Sequence, residues 1–259
     1  MDYLLAIFAG AVQGLTEFLP ISSTGHLIIF EHIFHISQED FGLAFDASLH
    51  LGTLIAVLLI FKNDYLKMFN FKNKLTSKLI IGTIPAVILG LLFESAIDSS
   101  FRQLWIIGAA LIIYSIVMVL AEKMAKQTKT KDETSIKDAL IIGIFQAIAL
   151  IPGVSRSGST ISAGLFLGLK REEAAKFAFM LSGPIIAGAG AKKFLETISN
   201  PTSFTNIDFF LIGIVSSAIF GYFTIKFLLM YLSTNTLYPF VVYRLILGTL
   251  LILLSVASN

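Results

Sequence analysis

A carboxylate, an imidazole, a guanidinium and a run of hydroxyls stand in two short polar segments of an otherwise oily chain. The first runs from Gln13 through Glu17, Pro20, Ser22, Ser23 and Thr24 to His26. The second runs from Pro152 through Ser155, Arg156 and Ser157 to Thr160. Ionisable groups set in apolar sequence are functional candidates, because a bilayer makes them expensive to keep. Gln13 and Glu17 are four apart and therefore share a helical face. Ser22, Ser23 or Thr24 can cap the helix that follows, with His26 one turn in; Ser155 and Ser157 can do the same in the second segment. A helix N-terminus offers free N–H groups and a positive dipole end, which is a ready anion site. Two such ends with Arg156 between them suit a phosphate or diphosphate, which a guanidinium grips bidentately and stabilises during transfer. Glu17 and His26 can then serve as metal ligand, general base or general acid.

Each residue also has a plain structural reading. Serine, threonine and glycine pack membrane helices. Glu17 can be a buried partner of Arg156, and His26 a satisfied core histidine. Two matched segments together weaken that reading. Asp46 and His50 share a face and can line a cavity or make an interhelical hydrogen bond. Arg244 lies about 10 Å into the last apolar stretch by helical rise and is expected to snorkel toward the cytoplasmic surface. His32 and His35 are expected in an outer loop.

The elements that position these groups are helical and membrane-bound. Of 259 residues, 56% are hydrophobic and 14% charged, against roughly 45–50% and about 25% in soluble domains. The net charge of +2 gives no basis for nucleic-acid binding. With no cysteine, disulfides and thiol chemistry are excluded. The N-terminus lacks a basic region and is not read as a cleaved signal. Six stretches suit spans of about 20 apolar residues: 44–61, 79–96, 103–121, 175–192, 208–229 and 237–256. Residues 3–34 and 138–168 break at the polar segments and read as re-entrant hairpins, whose irregular backbone needs protein or a wet cavity around it.

The order hairpin, span, span, span occurs twice, Gln13…Pro20-Ile-Ser resembles Gln146…Pro152-Gly-Val-Ser, and each half has a proline-bearing span at Pro85 or Pro184. The chain is therefore expected to be one all-α polytopic membrane domain. Its halves, about 1–125 and 136–259, form an inverted repeat that brings the elbows together. Lysines cluster in 62–78 and 122–137, while Arg102, Lys192 and Lys193 lie on the other side; the positive-inside rule puts the lysine-rich loops in the cytoplasm. No Walker A loop, His-Glu-x-x-His pair or dinucleotide fingerprint is present.

The stretch Gln13–His26, the stretch Pro152–Thr160, and Phe45-Asp46 with Leu51-Gly52-Thr53 together resemble undecaprenyl-diphosphatase, the bacitracin-resistance protein family. The resemblance covers the whole chain. Ser-Thr-Gly-His26 with Ser155-Arg156 also resembles the acid phosphatases that act on lipid phosphates, but Ser162 stands where that family has a histidine. The first resemblance implies hydrolysis of undecaprenyl diphosphate to undecaprenyl phosphate and phosphate, which recycles the lipid carrier of wall synthesis and confers bacitracin resistance. It also implies a divalent cation, Mg²⁺ or Ca²⁺, in a bacterial plasma membrane protein with its site open to the outer face. The family's essential Glu, His and Arg match Glu17, His26 and Arg156; its motif serine matches Ser23, with Ser155 and Thr160 around the arginine. Many members carry a glutamate where this chain has Gln13, which removes one charge from a metal site held by Glu17.

The expected mechanism places the diphosphate between the elbows. Arg156 and the helix N-termini hold it, with Gln13, Ser22, Thr24, Ser155, Ser157 and Thr160 as binding groups. Ser23 or a water attacks with His26 as base. The rival readings are a transporter or flippase of a lipid-linked anion, and a channel. The sequence leaves a homodimer open.

Overall fold

Interruptions in the apolar sequence become helix boundaries. The computed structural model describes residues 3–34, 42–68, 74–99, 101, 103–198 and 207–257. The first break, at Leu19-Pro20-Ile21, separates α1 (Tyr3–Phe18) from α2 (Ser23–Ile33). The second, at residues 149–155, separates α7 (Ile136–Ile148) from α8 (Arg156–Phe166). Both second arms begin alike. Ser22 has φ 72° and Ser155 φ 75°, and their hydroxyls accept from the N–H of Gly25 at 3.4 Å and of Gly158 at 3.2 Å. A positive φ is costly for a residue with a side chain, so both caps are held in place by their surroundings. α7 starts on a capping box, in which Ser135 and Asp138 each accept from the other's backbone N–H.

The other helices are α3 (Gly42–Ile60), α4 (Lys62–Met68), α5 (Lys74–Ser99), α6 (Leu104–Met124), α9 (Arg171–Ile198), α10 (Ile207–Leu232) and α11 (Tyr238–Ala257). Among the described residues there is no strand, only an isolated bridge between Lys129 and Leu169. Among the described residues, segments of α5, α6, α10 and α11 are long and apolar enough to cross a membrane, and the bent pair α3–α4 makes a fifth if its two helices count as one span. The sixth expected span falls in α9, 28 residues long, which is not among these apolar segments. The outer faces are apolar: Leu211, Val215, Ile219 and Phe223 on α10 and Val242, Ile246, Leu250 and Leu253 on α11 are exposed. Such stripes suit lipid and not water. The chain is an all-α polytopic membrane protein.

The expected loop 62–78 begins instead as α4, turned by 84° from α3. Its Tyr65 hydroxyl donates to the carbonyl of Met180 at 2.7 Å, fixing the short helix against α9. His32 lies in the last turn of α2, exposed, and not in a loop. His35 and Arg102 fall outside the described residues.

Packing exchanges partners between the halves. The first arm α1 lies on α10 and the corresponding arm α7 on α5; α3 meets α9 and α6 meets α11. Several crossings are so close that only glycine fits. A Cβ on Gly143 would sit 2.2 Å from the Gly82 carbonyl oxygen, and one on Gly108 2.7 Å from that of Gly248. Where helices approach this closely, short hydroxyls reach the neighbour: Ser216 donates to Ile7 O at 2.7 Å and Ser217 to Leu49 O at 2.8 Å.

The lysine-rich segments come together. Lys131 Nζ lies 3.1 Å from Asp64 Oδ1 and Lys78 Nζ donates to Asp132 O at 2.8 Å. Arg171, opening α9, pairs at 2.7 Å with Glu122 at the end of α6, and Glu122 also accepts from Leu237 N. One end of the bundle is thus a polar knot joining both halves.

Candidate active site

Glu17 is the hub of the site. It sits on the last turn of α1 with its side chain 4% exposed. Arg156, the first residue of α8, places Nη2 on Glu17 Oε1. The Oε2 atom accepts from Ser23 Oγ at 2.5 Å and from Gln13 Nε2 at 3.0 Å. The carboxylate thus joins the two elbows, which lie far apart in sequence. The elbows are also stitched directly, since Ser157 Oγ donates to Leu19 O at 2.9 Å.

A cavity of about 190 Å³ opens beside this cluster. Glu17, Ser22, Ser23 and Thr24 line it from the first elbow, and Ser155 and Arg156 from the second. Ala86 and Ile185, each next to the proline of its helix, complete the wall. The first turns of α2 and α8 therefore border the same space, and their unsatisfied N–H groups favour an anion there.

Three expected binding groups are placed elsewhere. Gln13 is fully buried behind Glu17. Ser157 holds Leu19 O, as above. Thr160 turns its hydroxyl back to the carbonyl of Arg156 at 2.8 Å, the local bond that threonine makes readily within a helix.

His26 does not reach the cluster. Its Nδ1 is 2.7 Å from Ser22 O and its Nε2 2.6 Å from the Tyr243 hydroxyl, with the two rings stacked at 5.6 Å. Both ring nitrogens are thus engaged away from Glu17, and His26 is not on the cavity wall. The expectation that it acts as base for Ser23 is not supported by this geometry. The imidazole that does face the hub is His50 of α3, with Nε2 3.7 Å from Glu17 Oε2 and Nδ1 2.9 Å from Asp46 O. The shared face of Asp46 and His50 thus resolves into a histidine lining the cavity.

Arg244 corrects a second expectation. It does not snorkel: it is 0% exposed. Its guanidinium donates to Pro20 O at 3.3 Å and to Gly153 O at 3.0 Å, one carbonyl from each elbow, and to Leu111 O and Ser115 Oγ of α6. Irregular backbone at membrane depth leaves carbonyls without partners, and Arg244 supplies donors to both turns at once. Gly153, at φ 97°, packs where a Cβ would stand 2.5 Å from Ile107 O. Gln146 was also missed as a site residue; it lines the cavity from α7.

The expected Mg²⁺ or Ca²⁺ would need a cluster of oxygen ligands. Among the described residues no three His, Asp or Glu come together. Among the described residues Glu17 is the sole carboxylate on the cavity wall, and both its oxygens are taken by Arg156, Ser23 and Gln13. Hard divalent cations need more oxygen ligands than one ion-paired carboxylate provides. These residues do not fit a resident cation held by the protein alone.

Comparison with known proteins gives a consistent assignment. The family model described as "Bacitracin resistance protein BacA" matches residues 6–250. A protein of Thermodesulfovibrio yellowstonii named undecaprenyl-diphosphatase is 47% identical over 100% of both chains. One of Elusimicrobium minutum with the same name is 43% identical over 98% of each, and undecaprenyl-diphosphatase 3 of Bacillus cereus is 40% identical over 98% of each.

Proposed function

The chain belongs to the bacitracin resistance protein BacA family, and we propose from that membership and from its cavity that it hydrolyses undecaprenyl diphosphate to undecaprenyl phosphate and inorganic phosphate. The observation that carries the reading is the junction of the two elbows: a guanidinium, two helix N-termini and a hydroxyl held on a carboxylate, all on one cavity. The polyprenyl tail stays among the apolar outer faces of the helices and the diphosphate enters the cavity.

Arg156 and the N–H groups opening α2 and α8 take the non-bridging oxygens. Glu17, accepting from Ser23 Oγ at 2.5 Å, receives the proton of the nucleophile. Ser23 Oγ attacks the terminal phosphorus; a bond forms from oxygen to phosphorus and the anhydride P–O bond breaks. Undecaprenyl phosphate departs with the electron pair. Water then hydrolyses the phosphoserine, releases phosphate and restores the serine. An anhydride has a good leaving group, so positioning and charge neutralisation supply most of the catalysis.

A divalent cation in this account arrives on the substrate's phosphates, and no step requires a resident one. The polar knot of lysine-rich segments is assigned to the cytoplasm by the positive-inside rule, and the cavity is assigned to the outer face of the bacterial plasma membrane. Recycling of the lipid carrier and bacitracin resistance follow from the reaction.

The test is phosphate release by purified full-length protein in detergent, with no membrane gradient. Release from undecaprenyl diphosphate is expected, and its absence would leave a lipid transporter as the reading. A Ser23→Ala variant is expected to lose turnover; if it turns over well, a water on Glu17 is the nucleophile instead.

A further inference from the structure

Gln146 stands in the second hairpin where Gln13 stands in the first: each lies nine residues before the positive-φ serine that caps the next helix. The two glutamines then diverge. Gln13 spends its Nε2 on Glu17. In the second elbow the position equivalent to Glu17 is Leu150, so Gln146 has no carboxylate four residues on to bond as Gln13 does. Its side chain is buried, at 2% exposure, and neither Nε2 nor Oε1 has a partner. A carboxamide with both ends unpaired is among the costlier things a buried site can hold. It nevertheless lines the cavity together with Glu17, Ser23 and Arg156.

On the reading of that cavity as a diphosphate site, we propose that Gln146 is a substrate-binding residue whose Nε2–H donates to a non-bridging phosphate oxygen. A neutral donor suits this place. Arg156 already carries the positive charge that neutralises Glu17, and an amide adds direction without a second buried charge. A phosphate oxygen is then the acceptor that the buried amide otherwise lacks. The same logic separates Gln146 from Ser162, whose hydroxyl is equally buried and unpaired but is not on the cavity wall.

The experiment measures KM, kcat and thermal unfolding of purified full-length wild type, Gln146→Met, Gln146→Glu and Ser162→Ala, with undecaprenyl diphosphate in detergent. Methionine keeps the length of glutamine and removes both orphaned atoms. Gln146→Met is expected to raise KM about tenfold or more, as loss of a uniform binding contact does. Its Tm is expected to stay level or rise by about 2–4 °C, because the unpaired polar atoms are gone. Gln146→Glu, which sets a second carboxylate against an anion, is expected to raise KM further. Ser162→Ala is expected to keep wild-type KM and kcat. KM does not depend on how much of a preparation is folded, so it remains decisive if a variant expresses poorly. An unchanged KM in Gln146→Met overturns the inference while wild-type phosphate release upholds the reaction. A wild type that releases no phosphate overturns both.

Discussion

Replacing Arg244 by methionine should loosen both elbows at once. The side chain is fully buried and makes four hydrogen bonds at 3.0–3.3 Å. Two of its acceptors keep a partner afterwards, since Ser115 Oγ donates to Leu111 O at 2.7 Å. The other two, Pro20 O and Gly153 O, lose the donor that Arg244 brought to each turn. Leaving a buried acceptor unpaired costs about 1–3 kcal/mol, so two cost about 2–6 kcal/mol. Against this, removing a buried guanidinium recovers part of its desolvation penalty. The carbonyls still face a site with no replacement donor, and a net loss of about 2–4 kcal/mol is expected. At about 2–4 °C per kcal/mol for a chain of this size, the apparent Tm should fall by roughly 4–16 °C. Thermal unfolding in detergent at a fixed scan rate reads this directly, and kcat should fall with it because Arg156 and Ser23 both follow these turns. An Arg244→Met protein that unfolds within 1 °C of wild type and keeps full kcat would refute the clamp.

Gly143→Ala should force α7 away from α5, because its Cβ would meet the Gly82 carbonyl oxygen at 2.2 Å; overpacking of this kind costs about 1–3 kcal/mol, read as a drop in Tm, and an unchanged Tm would contradict the crossing. Mg²⁺ titrated into substrate-free protein should bind only weakly, with Kd above about 1 mM, because Glu17 offers one ion-paired carboxylate; calorimetric binding with Kd below about 10 µM would show a resident site that these residues do not explain.

The interruptions that carry the chemistry were legible because polar residues and prolines are conspicuous in apolar sequence. Glu17 and Arg156 stand out by residue type and Ser23 by the family resemblance, and the fold brings Ser23 and Arg156 into direct contact with Glu17. Rotation and partners were less legible. Helical rise placed Arg244 below the surface, but rise says nothing about which carbonyls surround it; Pro20 and Gly153 come from turns distant in sequence. The spacing put His26 one turn into α2, yet the direction its ring faces depends on Tyr243 of α11. His50 was noted with Asp46, and only the packing of α3 shows it facing Glu17. Gln146 is legible as the repeat partner of Gln13, but an uncharged side chain gives no sequence reason to place it in the site. The 84° turn into α4 stands at the start of a lysine-rich stretch that reads as loop by composition.

The most direct measurement is the rate of phosphate release from undecaprenyl diphosphate by purified Arg156→Ala, beside wild type in the same detergent. Arg156 is the group the second elbow contributes to the hub, and arginines that stabilise phosphoryl transfer are worth about 10³–10⁵ in rate. A loss of about a thousandfold or more is predicted, with the protein still folded. A variant that retains its rate within about tenfold would contradict the claim that the two elbows form one catalytic site.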